Sequence, residues 1–327
     1  MVAERILVPL DGSLVAEQAI PYALAIGGPH AEIILLAVLT QTVPTFAMPN
    51  AGATPGEDLL RRERRAATQA LQDAAARWGA DVAAHFEPAV AIGDPAAEII
   101  RMAKDREVDF IAVTSHGRGA GGRWTYGAVA DRVARAAAVP VLVVRASEAA
   151  PVPAATVQRL LVPLDGSALA ARALPVAAPL AKRLRVPINL VSVLDPSAMV
   201  PSTVAYGATV SDDLYQEMAT GVQAVLKHML ERTTAALQSD GIQASWQIQD
   251  GPVASSIMLA ARPGDIIVLS SHGRGGITRW LLGSVAEKLL RLASAPVLLV
   301  PSKAAETASG AYAEVVAAAV VTKGDRA

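Results

Sequence analysis

The 327-residue chain contains no cysteine. This absence excludes a disulfide framework, a thiolate nucleophile and a cysteine zinc cluster, and it is compatible with the reducing cytoplasm, where we expect the protein. An excess of one charge is also missing, since the formal net charge is −1. No overall field therefore steers the molecule toward nucleic acid or an anionic membrane, and we expect neither as a partner.

Long apolar runs are missing as well. No run reaches the length of about 20 residues that a bilayer-spanning helix needs. The segment 1–6 lacks the basic stretch and apolar core of a secretory signal, so we expect neither a membrane span nor a leader.

Several enzyme motifs are absent from the sequence. The chain has no GxxxxGK[ST] phosphate loop and no HExxH zinc motif. Nothing marks a dedicated general base for phosphoryl transfer. These absences disfavour a kinase or a fast ATPase.

The sequence does contain a long internal repeat. RILVPLDGSLVAEQAIPYA at 5–23 returns as RLLVPLDGSALAARALPVA at 159–177, and SHGRG at 115–119 returns at 271–275. The offset is about 154 to 156 residues, which indicates two duplicated domains and not a solenoid. We place the first domain at 1–145, a Pro-containing linker at 146–158, the second domain at 159–301 and a tail at 302–327.

Each half alternates short apolar runs with segments of helical spacing. In the first half this pattern predicts strands at 5–10, 32–39, 82–90, 108–114 and 140–144, and helices at 14–27, 57–79, 95–105 and 127–138. Such alternation predicts an α/β fold with a mainly parallel sheet and right-handed crossovers. We expect Ser13 to cap the first helix and Pro21 to kink it.

The segment that carries chemistry is a glycine-rich loop between a strand and a helix. In the second half it reads Ser270-Ser271-His272-Gly273, nine residues, then Gly283-Ser284. Glycine is suited to a close approach of backbone to phosphate or to a positive φ, and a helix N-terminus favours an anion. The Ser284 hydroxyl can reach a phosphate oxygen or a phosphate-bound metal.

These residues resemble the ATP-binding signature of the universal stress protein family: Gly, two residues, Gly, nine residues, Gly, then Ser or Thr. In the second half only the first glycine differs, being Ser270. In the first half Gly117 and Gly127 fit, whereas Thr114 replaces the first glycine and Ala128 replaces the closing hydroxyl residue. The resemblance covers nearly all of residues 4–301.

The resemblance implies two open five-stranded parallel sheets of order 3-2-1-4-5, with helices on both faces, paired as a pseudo-dimer. It implies ATP as the ligand, with Mg²⁺ as a metal that the phosphates could bring, and a homo-oligomer. The Asp of each PLDGS turn is expected near the nucleoside, the end of the second strand at the adenine, and the glycine loop at the phosphates. The expected nucleotide-binding residues are Asp11, Val38, Thr114, His116, Gly117, Arg118 and Gly127 in the first half, and Asp165, Val193, Ser270, His272, Gly273, Arg274, Gly276, Gly283 and Ser284 in the second.

Simpler interpretations stand beside these assignments. Asp-Gly is a common turn pair, so the two aspartates can be turn formers only, and the serines that come after them can be plain helix caps. A loop histidine more often orders its loop than acts as an acid or base, and no paired carboxylate lies at fixed spacing to orient it. The loop arginines can bind phosphate or remain solvated.

Three functions are compatible with these residues. The first is a regulatory module whose ATP occupancy alters its shape or its choice of partner. The second is a slow ATPase that uses the same site, and the third is a ligand-free stress protein that acts through its surface. The sequence identifies neither the protein partner nor the stress signal.

The fifth strand of each half carries a separate prediction. In the order 3-2-1-4-5 this strand is an edge, and PVLVV and PVLLV lack a protective lysine. We expect the two halves to pair through these strands, so Leu142→Lys or Leu298→Lys should raise protease sensitivity in 146–157. Limited proteolysis checks this, and unchanged cleavage of the linker contradicts it.

Overall fold

The computed structural model describes residues 4–40, 55–115, 127–145, 155–195, 212–271 and 282–301, together with Tyr312, Val315 and Val316. The chain divides into two compact units, Met1–Ala155 and Thr156–Ala327. Both units are built from strands that alternate with helices.

The first unit begins with a buried strand and ends with one. Its elements are β1 (Arg5–Pro9), a 3-10 helix (Ala16–Ala19), α1 (Ile20–Gly27), β2 (Glu32–Leu39), α2 (Pro55–Gly79), β3 (His85–Ile92), α3 (Pro95–Asp105), β4 (Phe110–Thr114), α4 (Ala128–Ala136) and β5 (Val141–Val144).

The second unit repeats this order. Its elements are β6 (Arg159–Pro163), α5 (Ala168–Ala171), α6 (Leu174–Leu184), β7 (Ile188–Leu194), α7 (Asp212–Ser239), β8 (Ala244–Asp250), α8 (Val253–Ala260), β9 (Asp265–Ser270), α9 (Ser284–Leu292) and β10 (Val297–Val300).

Within each unit the strands form a parallel sheet of the expected order. The first unit reads β3-β2-β1-β4-β5 and the second reads β8-β7-β6-β9-β10. The central strands are apolar without alternation because helices cover both faces of a parallel sheet. The side chains of Leu7, Ile34, Leu160 and Ile267 are fully buried. The predicted order 3-2-1-4-5 is confirmed. The pairing of the two halves through their fifth strands stays a prediction.

The proline near the start of each unit does not kink a continuous helix, contrary to the expectation from sequence. A 3-10 helix precedes α1, and Pro21 lies in the first turn of α1, where a missing N–H costs no helical hydrogen bond. Proline therefore begins this helix. In the second unit the first turn of α6 also contains a proline, and Pro179 lies farther inside.

A buried carboxylate anchors the 3-10 helix. Glu17 accepts a hydrogen bond from Arg77 Nη2 at 2.6 Å and one from Trp78 Nε1 at 3.0 Å, both at the end of α2. Ala171 takes the corresponding place in the second unit. Pairing and hydrogen bonding offset the cost of burying the Glu17 charge.

The tail is described at three residues only. Tyr312 donates a hydrogen bond to Asp240, which lies just after α7, and Val316 is fully buried. Burial and the neighbouring carboxylate raise the pKa of Tyr312 above the ordinary value for tyrosine. None of the helices in the described ranges is both long enough and apolar enough to cross a membrane.

Candidate functional site

In each unit the strand order reverses between the first and fourth strands. β1 lies between β2 and β4, and β6 lies between β7 and β9. The chain leaves these neighbouring strands in opposite directions, so a crevice opens beyond their carboxyl ends, where open α/β sheets bind ligands. The crevice brings together the turn after β1, the end of β2, the end of β4 and the start of α4.

The PLDGS turn at the end of the first strand is built in the same way in both units. Asp11 Oδ1 accepts the Ser13 N–H at 2.9 Å, and Asp165 Oδ1 accepts the Ser167 N–H at 2.9 Å. The glycine between them has a φ of 81° in the first unit and 82° in the second, which a side chain would strain. Each aspartate is therefore a turn former, and its turn lies at the carboxyl end of the first strand of its unit.

The serine of each turn accepts the amide three residues later, but only one of the two is a helix cap. Ser167 Oγ accepts the Ala170 N–H at 3.1 Å and is the N-cap of α5. Ser13 Oγ accepts the Ala16 N–H at 3.2 Å and donates to Asp11 at 2.6 Å, whereas the N-cap of the 3-10 helix is Val15. The expectation that Ser13 caps the first helix is therefore wrong, because its bond closes the turn that precedes the helix.

A main-chain hydrogen bond joins the two ends of the glycine loop, between the residue just after the fourth strand and the glycine that begins the next helix. The Gly127 N–H donates to the Ser115 carbonyl at 2.6 Å, and the Gly283 N–H donates to the Ser271 carbonyl at 3.0 Å. These bonds fix the N-termini of α4 and α9 beside the ends of β4 and β9. The residue types alone do not predict this hydrogen bond, because only main-chain atoms form it.

Each of these two helices begins with a glycine at the N-cap. Gly127 has φ −64° and ψ 136°, and Gly283 has φ −60° and ψ 144°. A positive φ, one of the two reasons expected for glycine here, is therefore not required. Because glycine has no side chain, the N-cap has no side-chain oxygen to accept the first-turn N–H groups of α4 or α9. The close approach of a ligand, the other reason expected for glycine here, stays a prediction.

The acidic residue in the first turn of each helix is paired. Asp131 accepts the Nε–H of Arg135 with both oxygens, at 2.9 and 3.0 Å, and Glu287 accepts Arg291 Nη2 at 3.0 Å. An unpaired carboxylate there would repel a phosphate. The i, i+4 pairing reduces that repulsion.

The end of the second strand offers main-chain groups to the crevice. The Leu10 N–H donates to the Leu36 carbonyl at 2.8 Å, and the Gly93 N–H donates to the Leu39 carbonyl at 2.9 Å. Successive residues of a strand direct their backbone groups to alternate sides. The N–H and C=O of Val38 therefore point toward the β1 side, beyond the last described β1–β2 bond.

The same alternation holds in the second unit. The Leu164 N–H donates to the Val191 carbonyl at 2.9 Å, and the Gly251 N–H donates to the Leu194 carbonyl at 2.9 Å. The N–H and C=O of Val193 thus point toward the β6 side, above the Asp165 turn. Both valines are half-buried.

The described predicted residues lie at the carboxyl edge of their sheets. Thr114 and Ser270 end β4 and β9 and are buried, whereas Ser284 is exposed in the first turn of α9. The remaining loop predictions lie outside the described residues: His116, Gly117, Arg118, His272, Gly273, Arg274 and Gly276.

The described ranges contain no group of three or more His, Asp or Glu side chains that could hold a metal ion. The expected role of the exposed Ser284 hydroxyl toward a phosphate-bound metal stays a prediction.

An ion pair joins α3 to α4 at the same edge of the first unit. Arg132 donates to both oxygens of Asp94 at 2.8 Å, and the Ala97 N–H donates to Asp94 at 2.9 Å. The arginine first, and then the amide, hold the pKa of Asp94 below its ordinary value of 3.8. Pro252 and Lys288 occupy the corresponding positions of the second unit.

A carboxylate with a lowered pKa stabilises the fold above its unfolded pKa, and this contribution is lost as the pH falls through the folded pKa. We therefore expect Arg132→Ala to raise the pKa of Asp94 toward 3.8. NMR titration of the Asp94 carboxyl carbon measures it. Arg135→Ala, which removes a neighbouring ion pair, should leave the Asp94 pKa in place, and an unmoved value in Arg132→Ala contradicts the assignment.

Comparison with known proteins gives a family. The sequence model of the Universal stress protein family matches residues 3–145 and again 156–301. Universal stress protein Rv2005c of Mycobacterium tuberculosis is 25% identical over 310 residues, covering 90% of this chain and 96% of its own length. Universal stress protein YxiE of Bacillus subtilis is 28% identical over 144 residues, covering 43% of this chain and 97% of its own.

A solved structure supports the same fold. The crystal structure of a universal stress protein from Archaeoglobus fulgidus superimposes with a TM-score of 0.63 at 20% sequence identity, covering 92% of this chain and all of the other. Family matches in both halves, over most of the chain, agree with the repeat and with the two equivalent sheets. The chain belongs to the universal stress protein family, as a tandem member with two such domains.

Proposed function

We propose that each unit binds ATP in the crevice beyond its first and fourth strands, and that the occupancy of these sites regulates the protein's interactions during stress. The observation that carries this proposal is the pair of main-chain groups at the end of the second strand. Val38 and Val193 each direct an N–H and a C=O into the crevice from one residue.

An N–H beside a C=O matches one edge of adenine. The ring nitrogen N1 accepts a hydrogen bond and the 6-amino group donates one, so the two pairs are complementary. Guanine and hypoxanthine carry a hydrogen on N1 and an oxygen at C6, which reverses both. The strand end therefore favours an adenine nucleotide.

The triphosphate has a matching partner across the crevice. The N-termini of α4 and α9 face the carboxyl edge, and no N-cap side chain competes for their first-turn amides. The amides of a helix N-terminus and the positive end of its dipole are suited to a phosphate. In this proposal the ribose lies beside the turn of Asp11 or Asp165, whose carboxylate is the expected acceptor of a ribose hydroxyl.

A regulatory role fits this chemistry better than fast turnover. The contacts just described bind a nucleotide at its base, ribose and phosphates, and none of them is a proton acceptor positioned for an attacking water. Two sites in one chain allow four occupancy states. A partner that prefers one of them would couple ATP concentration to binding through that difference in affinity.

The test begins with the full-length protein purified without added nucleotide. Mass spectrometry of the molecules released on denaturation identifies any resident ligand, and titration calorimetry of the stripped protein measures affinity for ATP. We expect an adenine nucleotide in the first measurement and binding in the second. A chain that carries no nucleotide and binds no ATP contradicts the proposal and favours the ligand-free alternative. Steady phosphate release that is lost when Gly127→Asp and Gly283→Asp are combined favours the slow ATPase.

A further inference from the structure

The third strand of each unit is an edge of its sheet, and the two edges are not protected alike. In the described residues β3 pairs only with β2, and β8 pairs only with β7. β3 contains a proline, Pro88, and a charged residue, Glu87, which forms an ion pair with Arg106. β8 reads ASWQIQD, without proline or lysine, and its one charged residue is Asp250 at its end. An edge strand without such protection offers its main-chain groups to another strand.

The position of Pro88 shows how the first edge is closed. The His85 N–H donates to the Ala31 carbonyl at 2.8 Å, so His85 directs its main-chain groups toward β2. Because these groups alternate along a strand, those of Pro88 point outward. A proline there costs its own sheet no hydrogen bond and removes a donor from the free edge. The strand register places Trp246 at the equivalent position of β8, so the second edge keeps this donor.

The outward main-chain groups of β8 have no partner strand in the described chain. The Ile188 N–H donates to the Gln243 carbonyl at 2.8 Å, so Gln243 directs its groups toward β7. The same alternation directs the N–H and C=O of Trp246 and Ile248 away from β7. No main-chain group in the described ranges meets either residue on that side. The edge therefore presents two donors and two acceptors in a row.

We propose that two copies of this chain associate through β8, antiparallel, with Gln247 on the two-fold axis facing its counterpart in the second copy. In this register Trp246 of each copy faces Ile248 of the other. Antiparallel residues that face each other in this way exchange two N–H···O bonds, so the four free groups of one copy match the four of the other. A register displaced by two residues would instead place one of these residues opposite Ala244 or Asp250, whose carbonyls already accept side-chain hydrogen bonds.

The polar side chains on one face of β8 form a row that is complementary to itself. Gln249 Nε2 donates to Gln247 Oε1 at 3.3 Å, and Gln247 Nε2 donates to Asn189 Oδ1 at 2.9 Å. Asn189 Nδ2 in turn donates to Ser245 Oγ at 3.0 Å. The row thus ends with a hydroxyl hydrogen at Ser245 and an amide oxygen at Gln249. In the proposed register these two residues face each other, so each row supplies the acceptor for the other's hydroxyl.

The opposite face of β8 brings apolar side chains together without opposing like charges. Trp246 would pack against Ile248 of the second copy, which is a favourable cross-strand pair of an aromatic and a β-branched side chain. Asp250 would face Ala244 and not another carboxylate. The inference goes beyond the proposed function, since the main-chain groups concerned point away from β7 and from the crevice.

The first experiment is sedimentation velocity of the full-length chain over a wide range of micromolar concentration. We expect a reversible dimer. Ile248→Pro leaves the β7 side of β8 intact, as Pro88 does in β3, and removes one outward donor from each copy. Its dimer should therefore be about 10- to 100-fold weaker, the effect of two lost neutral hydrogen bonds.

A charge pair tests the register without a proline. Gln247→Lys and Gln247→Glu should each weaken the dimer, because like charges would meet at the two-fold axis, and an equal mixture of the two variants should restore association. Gln249→Lys is the matched control, since its charge would face Ser245 and should leave the dimer within about 2-fold of its original strength. If Ile248→Pro lowers the thermal stability of the chain, the mixture of Gln247 variants decides.

Hydrogen exchange locates the surface at single residues. The amides of Trp246 and Ile248 should exchange more slowly as the protein concentration rises, whereas those of Gln247 and Gln249, which face β7 in both states, should not change. A chain that stays monomeric overturns the proposal, and so does a dimer that neither Ile248→Pro nor the Gln247 variants weaken. Protection of the two outward amides that is independent of concentration would assign this edge to another segment of the same chain, which also overturns it.

Discussion

Gly283→Asp should abolish ATP binding at the second site and leave the domain at least as stable as before. Gly283 is the N-cap of α9 and has extended backbone angles, φ −60° and ψ 144°. This is the conformation of an N-cap residue, and aspartate is among the residues that prefer it. The substitution therefore introduces no backbone strain.

The new carboxylate would take the amides that the phosphates need. An N-cap aspartate accepts the N–H of the second or third helical residue, which is better than glycine by a few tenths of a kcal/mol, and its negative charge at the positive end of the dipole adds about 0.3–1 kcal/mol. A triphosphate would then lose these donors and meet a like charge. Two lost charge-assisted bonds, at about 1.5–3 kcal/mol each, correspond to a loss of at least about 100-fold.

Calorimetry with ATP and thermal unfolding of the apo protein measure the two effects separately. Gly283→Asn is the matched control, since asparagine caps as well as aspartate but carries no charge, and its loss of affinity should be smaller. ATP binding at the original strength in Gly283→Asp would show that the phosphates do not lie at this helix. The same substitution at Gly127, where φ is −64° and ψ is 136°, silences the first site.

The sequence pattern predicted those strands and helices whose first and last residues are determined by the residues of the element itself. The apolar run Glu32–Leu39 is β2 and the segment 95–105 is α3, as expected. β3 begins three residues later than the expected 82, because Val82 is exposed and the His85 N–H is the first to meet the neighbouring strand, at the Ala31 carbonyl. A strand start depends on a partner that the strand's own pattern does not contain.

The candidate site divides in the same way. The spacing of the glycines and their position after a strand could be predicted from the sequence, because both depend only on residue type and order. The direction of the Val193 N–H was not, since it depends on the hydrogen bond between Leu164 and Val191, which belong to two different chain segments.

The ion pair of Asp94 and Arg132 illustrates a further limit. The two residues are 38 positions apart. The two copies of the repeat differ at both positions, since the second has Pro252 and Lys288 there. Differences between copies were visible in the sequence, but which of them meet in space depends on the packing of α3 against α4.

The second site should bind ATP more tightly than the first, and one hydroxyl should account for most of the difference. Ser284 and Ala128 are the first helical residues of α9 and α4, and both side chains are exposed. One charge-assisted hydrogen bond to a phosphate contributes about 1.5–3 kcal/mol, or roughly 10- to 150-fold in affinity. We therefore expect Ser284→Ala to weaken the second site, and Ala128→Ser to strengthen the first, by amounts in that range.

Both changes are made in the full-length chain, each with the other site silenced at its N-cap glycine, and calorimetry measures the affinity for ATP. Ser284→Thr keeps the hydroxyl and should retain most of the binding. Because the exchanged side chains are exposed, unfolding free energies should stay within about 0.5 kcal/mol, so an altered affinity reports on the ligand. Repeating the titrations without Mg²⁺ shows which group the hydroxyl contacts: an effect that persists indicates a phosphate oxygen, and one that disappears indicates the metal on the phosphates. Equal affinities at the two sites, or exchanges that alter neither affinity, would mean that the closing hydroxyl does not contact the nucleotide.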